Sequence, residues 1–77
     1  MTNYKGALQE YYAKNGSGMT PEYGLLRRGG EDHAPTHTCY CRVDGKQTDG
    51  TAIAKKAAEQ EAAKICFKNW DYLKGQL

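Results

Sequence analysis

Long apolar runs are missing from this sequence of 77 residues. No stretch approaches the ~18 consecutive apolar residues that a membrane-spanning helix needs. The first nine residues, MTNYKGALQ, also lack the basic and apolar regions of a secretory signal peptide. These absences argue against a membrane protein and against a secreted one, so we expect a soluble intracellular protein, cytoplasmic or nuclear.

Cysteine is scarce as well. Cys39 and Cys41 are spaced C-x-C and Cys66 stands alone, with no second pair and no histidine at zinc-finger spacing. This pattern fits an intracellular protein and predicts no zinc site, and we expect neither a metal nor a cofactor. A metal site that combines the C-x-C thiols with the neighbouring His33 and His37 is the alternative interpretation.

A strong excess of either charge is also missing. Eleven Lys and Arg against nine Asp and Glu give a formal net charge of +2, and residues 51–77 hold five of the bases but only three of the acids. This basic bias is weaker than that of a strongly basic nucleic-acid-binding protein.

The length allows one domain with a modest core, stable by about 3–5 kcal/mol, and no enclosed active site. Because no nucleophile, base and orienting group occur together, we expect no catalysis.

The strongest structural signal is the helix predicted over residues 51–70, the longest run free of Gly and Pro and rich in Ala, Glu, Gln and Lys. Its apolar stripe comprises Ala54, Ala58, Ala62, Ile65, Cys66 and Leu73, extended by Ala63, Phe67 and Trp70, with Gln60, Lys64 and Lys68 opposite. Small side chains allow close approach, so we expect this helix to rest on a sheet.

Lys55 and Lys56 lie in the first turn of this predicted helix. A helix N-terminus presents free N–H groups and a partial positive charge, and two lysines there make a site for an anion such as phosphate. Cations at this end oppose the helix dipole, which indicates a purpose other than helix stability. An ordinary solvated first turn is the alternative.

The rest of the chain predicts one helix and three strands. Residues 3–14 form the helix, capped by Thr2 or Asn3 and ended by the Gly-rich residues 15–18. Residues 22–28, 36–44 and 46–51 form the strands, with a tight turn at Asp44-Gly45. In the second strand, alternation puts Cys39 and Cys41 on a small apolar face, where we expect them to act as buried spacers.

This order predicts an α+β fold, an α-β-β-β-α sandwich in which two helices pack on one face of a three-stranded antiparallel sheet. The amphipathic first helix supplies part of the core through Tyr4, Ala7, Leu8, Tyr11 and Tyr12. We expect a single domain over residues 1–77, with its core at about 3–70 and a short tail at 71–77.

Four motifs then occur in an order and spacing that resemble the double-stranded RNA-binding domain family, over roughly residues 3–70. They are ALQEY at 7–11, P-x-Y-x-L at 21–25, G-x-x-H-x-P at 30–35 and K-K-x-A-x-x-x-A-A at 55–63. The resemblance implies non-catalytic binding of double-stranded RNA by shape, largely independent of sequence, with no membrane and no small-molecule substrate. Members of the family process, edit, transport or sense RNA, or in viruses protect duplexes from RNA silencing.

The resemblance also implies a site, because an A-form duplex is read across two successive minor grooves and the phosphates between them, over ~16 base pairs. By similarity, one minor groove would be contacted from the first helix, the next from a loop, and the phosphates from the last helix. The corresponding residues are Lys5, Gln9 and Glu10 in the first helix, Gly30, His33 and Pro35 in the loop, and Lys55 and Lys56.

Some positions depart from the family pattern. Glu59 stands where a third lysine is frequent, and we expect it to pair with Lys55 and Lys56 and to repel phosphate. Glu31 occupies a position where proline is common in the loop, and Ala54 replaces a serine that would cap the last helix.

These departures support an alternative, a protein-interaction domain of the same fold that binds a partner or a second copy. Its contact surface would be the sheet edge or the outer face of the last helix. Glu59, the low net charge and the apolar residues Tyr72 and Leu77, which we expect to be exposed, favour this alternative.

Overall fold

A computed structural model describes residues 3–15 and 18–76 of the chain. The elements are α1 (Tyr4–Lys14), β1 (Glu22–Glu31), β2 (Ala34–Val43), β3 (Lys46–Ala52) and α2 (Lys55–Asn69). The strands form one antiparallel sheet in the order β1-β2-β3, which confirms the predicted α-β-β-β-α fold. In the part of the chain described, no helix is long and apolar enough to span a bilayer. The interpretations placed on Thr2, Gly16, Ser17 and Leu77 lie outside the described residues.

Helix α1 begins at a side-chain cap. The Asn3 Oδ1 atom accepts a hydrogen bond from the Gly6 amide at 3.0 Å, which satisfies one of the free N–H groups of the first turn. Leu8 and Tyr12 are buried, and they belong to the same apolar cluster as Cys41 of the sheet. The amphipathic pattern predicted for this helix is confirmed.

The hairpin of β1 and β2 is longer than the sequence predicts. Pairing continues through Gly29 opposite Thr36, Gly30 opposite Pro35 and Glu31 opposite Ala34, so residues 30–35 are mostly strand, and the loop interpretation was wrong. Gly30 has a φ of +82° that only glycine adopts without strain. Pro35 lies beyond the end of β3, where its missing N–H is not needed for pairing with that strand.

Helix α2 starts at Lys55, four residues later than predicted. The preceding residues are held in β3, where Ala52 pairs with His37 and Thr51 with Thr38. The Thr51 and Thr38 hydroxyls are hydrogen-bonded at 2.9 Å across the strands. Ala54 is the N-cap and is exposed, so its assignment to the apolar stripe was wrong, whereas the predicted loss of a capping side chain is confirmed.

The alanine-rich side of α2 lies directly on the sheet, as predicted. Ala58, Ala62 and Ala63 are fully buried, and so are Cys39 and Cys41 beneath them. The Thr48 hydroxyl on β3 donates to the Ala62 carbonyl at 2.7 Å. Small residues on both elements therefore allow the helix to approach the strands closely, which fixes its height above the sheet.

The residues after α2 are part of the core. Leu73 is fully buried, and the Tyr72 and Tyr12 hydroxyls are hydrogen-bonded at 2.8 Å. The Lys46 ammonium lies 4.3 Å from the centroid of the Tyr72 ring, a cation–π contact. Tyr72 is thus half-buried, and the expectation that it would be exposed was wrong.

Candidate nucleic-acid interface

Lys55 and Lys56 are both exposed at the N-terminus of α2. The turn that carries them is fixed to the sheet, because the buried Cys39 thiol donates to the Lys55 carbonyl at 3.6 Å. The cap residue Ala54 provides no side-chain acceptor for the first-turn amides within the described structure. Two ammonium groups and free N–H groups therefore converge on one end of the helix, an arrangement that favours a phosphate.

The cysteines beneath this turn are structural. Burial raises the pKa of the Cys39 thiol, and a hydrogen bond with Cys66 together with burial raises that of Cys41. Both groups stay protonated at neutral pH, which makes them weak nucleophiles and weak metal ligands. His33 lies exposed at the hairpin tip whereas Cys39 and Cys41 are fully buried, so the structure does not bring His33 together with the thiols. Within the described residues, no three potential ligands cluster.

Gln9 and Glu10 are exposed on the polar flank of α1, as predicted. Gln9 and Lys56 line the same open depression of about 580 Å³, together with Lys5, Tyr23 and Gln60. The fold thus brings the flank of α1 and a first-turn lysine of α2 onto one continuous surface, although the two are far apart in sequence.

The hairpin tip lies on a two-stranded arm, defined as residues 29–36, which extends past the end of β3. His33 is 82% exposed at this tip, and its Nε2 atom lies 3.0 Å from the Glu31 carboxylate. The arm leaves the sheet at the end where α2 begins, and the six residues from His33 to Cys39 span about 20 Å of strand. The tip therefore lies several residues of paired strand beyond the α2 lysines.

Glu59 does not pair with Lys55 and Lys56 as expected. Its Oε1 atom lies 2.5 Å from the Lys5 ammonium of α1, and only 12% of its side chain is exposed. The Lys5 ammonium also lies 4.6 Å from the centroid of the Tyr23 ring. Because α1 crosses α2 at this point, the carboxylate is neutralised by a residue distant in sequence, and its repulsion of phosphate is reduced.

Gln60 makes contacts between the two helices that the sequence did not predict. It was assigned to the side of α2 opposite the sheet, but its amide donates to Asn3 Oδ1 at 2.8 Å and accepts from the Lys5 backbone amide at 3.1 Å. Helical periodicity identifies the residues that avoid the sheet, but it does not show that a second helix covers some of them.

Comparison with known proteins gives consistent matches. The family model described as double-stranded RNA binding motif matches residues 4–69. The chain is 44% identical over 68 residues to Ribonuclease 3 of Ruegeria pomeroyi, which covers 87% of this chain. It is 38% identical over 68 residues, 88% of this chain, to the RISC-loading complex subunit TARBP2 of Mus musculus. The chain spans only 30% and 17% of the length of these two relatives.

Solved structures share the fold. A structure of Arabidopsis HYL1, described with its implications for miRNA processing, matches with a TM-score of 0.73 at 27% sequence identity. The match covers 91% of this chain and 99% of that one. A solution structure of both domains of DRB4 matches with a TM-score of 0.68 at 38% identity, over 90% of this chain and 44% of that one.

Proposed function

Because the chain belongs to the double-stranded RNA-binding motif family, it binds double-stranded RNA, and we propose that it does so through three exposed segments. The flank of α1 contacts one minor groove, the tip of the two-stranded arm contacts the next, and the first turn of α2 contacts the phosphates between them. The residues are Lys5, Gln9 and Glu10 on α1, Gly30, His33 and Pro35 in the arm, and Lys55 and Lys56 on α2.

The observation that carries this proposal is the depression shared by Gln9 and Lys56. An amide that bonds ribose 2′-hydroxyls and an ammonium that binds phosphate are presented side by side, as the edge of an A-form groove requires. The ammonium groups supply most of the affinity, because each one neutralises a phosphate and releases counterions. The amide and carboxylate distinguish RNA from DNA, because only RNA offers the 2′-hydroxyl.

The proposed role of this chain is binding alone, with no bond made or broken. Ribonuclease 3 is an enzyme by name, but the chain corresponds to 30% of the relative from Ruegeria pomeroyi, and we propose that this portion contributes duplex recognition. The resemblance to a RISC-loading subunit supports a setting in RNA processing or silencing inside the cell. The free cysteines fit that reducing compartment.

Two of the features that favoured a protein-interaction domain, a Glu59 carboxylate paired with the first-turn lysines and an exposed Tyr72, are absent from the described structure. Glu59 is paired with Lys5, and Tyr72 is half-buried in the core. Leu26 and Ile53, which are 45% and 77% exposed, are the most exposed of the large apolar residues in the described part of the chain, and they are positions where a protein partner or a second copy could make contact. No feature of these two residues favours such a contact over RNA binding.

The decisive experiment replaces both first-turn lysines, Lys55→Ala with Lys56→Ala. We expect at least a tenfold loss of affinity for a 20-base-pair RNA duplex in fluorescence anisotropy, because phosphate contacts dominate binding. The circular dichroism spectrum should not change, since both side chains are exposed. Lys68→Ala with Lys74→Ala removes the same charge from the last turn of α2 and from the segment that follows it, and should have a much smaller effect. Equal losses for the two pairs would contradict the proposed site.

A further inference from the structure

Three contacts fasten the start of α1 to α2, one helical turn beyond Lys55 and Lys56. They join Asn3 and the Lys5 backbone to Gln60, and the Lys5 ammonium to Glu59. We propose that these four residues, Asn3, Lys5, Glu59 and Gln60, form an interhelical bracket that positions the RNA-contacting flank of α1 relative to the α2 lysines. This inference rests on the proposed function and assigns positioning roles to Glu59, Gln60 and Asn3.

The amide half of the bracket uses both the nitrogen and the oxygen of the Gln60 side chain. Gln60 uses its Nε2 atom as donor to Asn3 at 2.8 Å and its Oε1 atom as acceptor from the Lys5 amide at 3.1 Å. The same Asn3 oxygen caps α1 by accepting from the Gly6 amide at 3.0 Å. The first turn of α1 is therefore held by α2 as well as by its own cap, and movement of Gln60 would disturb both.

The ionic half of the bracket connects strand β1 to the two helices. The Lys5 ammonium lies 2.5 Å from Glu59 on α2 and 4.6 Å from the centroid of the Tyr23 ring on β1. Lys5 and Glu59 are 32% and 12% exposed, so the pair is partly shielded from water and interacts more strongly than a pair on the open surface. One ammonium group thus connects α1, α2 and the sheet.

The bracket lies one turn from the proposed contacts on both helices. Gln60 follows Lys56 by four residues, and Gln9 follows Lys5 by four, and residues at this spacing share a helix face. Asn3, Lys5, Gln9, Lys56 and Gln60 all line the same depression. A shift at the bracket would therefore change the separation of Gln9 and Lys56 directly, with no intervening element to absorb it.

The bracket and simple electrostatics predict opposite effects for Glu59. If Glu59 only repels phosphate, removing its charge strengthens RNA binding. If it positions α1, removing its charge releases Lys5 and weakens binding. Glu61 is the matched control, because it is an exposed carboxylate on the same helix, two residues away.

The test is a set of anisotropy titrations with the 20-base-pair RNA duplex. We expect Glu59→Gln and Gln60→Ala each to weaken binding about three- to tenfold, which corresponds to the net value of one hydrogen bond, and Glu61→Gln not to weaken it. Tighter binding by Glu59→Gln would overturn the bracket. If the wild-type chain fails to bind the duplex, the proposed function fails first, so the two failures are distinguishable.

A charge swap gives a second, independent comparison. Glu59→Lys alone adds positive charge but sets two ammonium groups against each other, whereas Glu59→Lys with Lys5→Glu restores the pair in reverse. Because Lys5 is itself a proposed RNA contact, the readout is stability: the bracket predicts a higher melting temperature for the double variant than for the single one. The reverse order would overturn it.

A double-mutant cycle separates positioning from general stabilisation. In a chain that already carries Gln9→Ala and Glu10→Ala, the α1 flank no longer has groups to position, so Gln60→Ala should have little further effect on affinity. A purely structural role predicts the same fold loss in both backgrounds, together with a matching fall in melting temperature. That additive result would overturn the positioning role.

Discussion

Gly50 of β3 lies directly against the backbone of Ala62 in α2. A Cβ atom at Gly50 would collide with the Ala62 amide nitrogen and would lie 2.6 Å from the Ala58 carbonyl oxygen. The absence of a side chain at this one position sets the height of α2 above the sheet. The lysines at the start of α2 depend on that height, because their turn is anchored to the strand next to Gly50.

Replacing Gly50 by alanine should therefore lift the helix from the sheet. We expect Gly50→Ala to lower the free energy of unfolding by about 1–3 kcal/mol, the usual cost of overpacking, as measured by urea denaturation. Gly29→Ala is the control, because a Cβ there meets only the Thr36 hydroxyl, at 3.3 Å. A cost for the control as large as that for Gly50→Ala would show that the close contact with α2 is not the cause.

The hydroxyl of Thr48 provides a second test of the helix–sheet contact. It donates to the Ala62 carbonyl at 2.7 Å and lies 3.3 Å from the Cys66 thiol, in a buried site. Thr48→Val keeps the shape of the side chain but removes the hydroxyl, so the Ala62 carbonyl and the Cys66 thiol lose this partner. We expect the free energy of unfolding, measured by chemical denaturation, to fall by about 1–2 kcal/mol. Thr51→Val removes the hydroxyl of an exposed residue from a half-buried interstrand hydrogen bond and should cost less. Similar costs would contradict the importance of burial.

Alkaline pH should destabilise the fold. Burial raises the pKa of the Cys39 thiol and of the Tyr23 hydroxyl in the folded chain. As the pH rises, both groups therefore ionise in the unfolded chain while they are still protonated in the folded chain. The unfolded state then binds fewer protons, and stability falls as the pH rises above 9, the ordinary thiol pKa. Melting temperatures under reducing conditions at pH 7, 9 and 10.5 should decrease in that order. The decrease should be smaller in Cys39→Ala, and a decrease of equal size would rule out Cys39 as a contributor.

The proposed site also predicts how binding depends on salt and on the ligand. With two principal phosphate contacts, the slope of log K against log salt should be shallow, about −2, and Lys56→Ala should reduce its magnitude by about 1. Titrations with RNA and DNA duplexes of the same sequence should favour RNA, because DNA lacks the 2′-hydroxyls that Gln9 and Glu10 are proposed to contact. A slope unchanged by Lys56→Ala, or equal affinity for both duplexes, would contradict these assignments.

Sequence periodicity correctly predicted the elements that pack against one surface and face solvent on the other side. The alternation that buried Cys39 and Cys41, and the alanine stripe of α2, both follow from a sheet on one side and solvent on the other. The start of α2 was missed because pairing of Thr51 and Ala52 with β2 outweighed their place in a helix-forming run. Gly30 and Pro35 were placed in a loop by the motif pattern, whereas they pair with each other in the hairpin.

The partner of Glu59 was beyond the reach of sequence reasoning for a different reason. Within a helix, a residue four positions away is the expected neighbour, so Lys55 was the natural candidate. The actual partner, Lys5, is 54 residues away, and its approach depends on how α1 crosses α2. The same holds for Gln60 and Asn3, 57 residues apart. The proposed RNA-contacting residues came from motifs, whereas the contacts between the two helices required three-dimensional coordinates.

The two-stranded arm beyond β3 gives this fold an adjustable reach. Its strands pair only with each other, so lengthening both need not disturb the helices or the rest of the sheet. Because side chains alternate between faces, insertion of two residues into each strand would preserve the orientation of the tip and advance it by about 7 Å. Insertion of one residue would turn the tip over. The distance between the tip and the α2 lysines, and with it the groove spacing that the proposed site fits, therefore changes in discrete steps of two residues per strand.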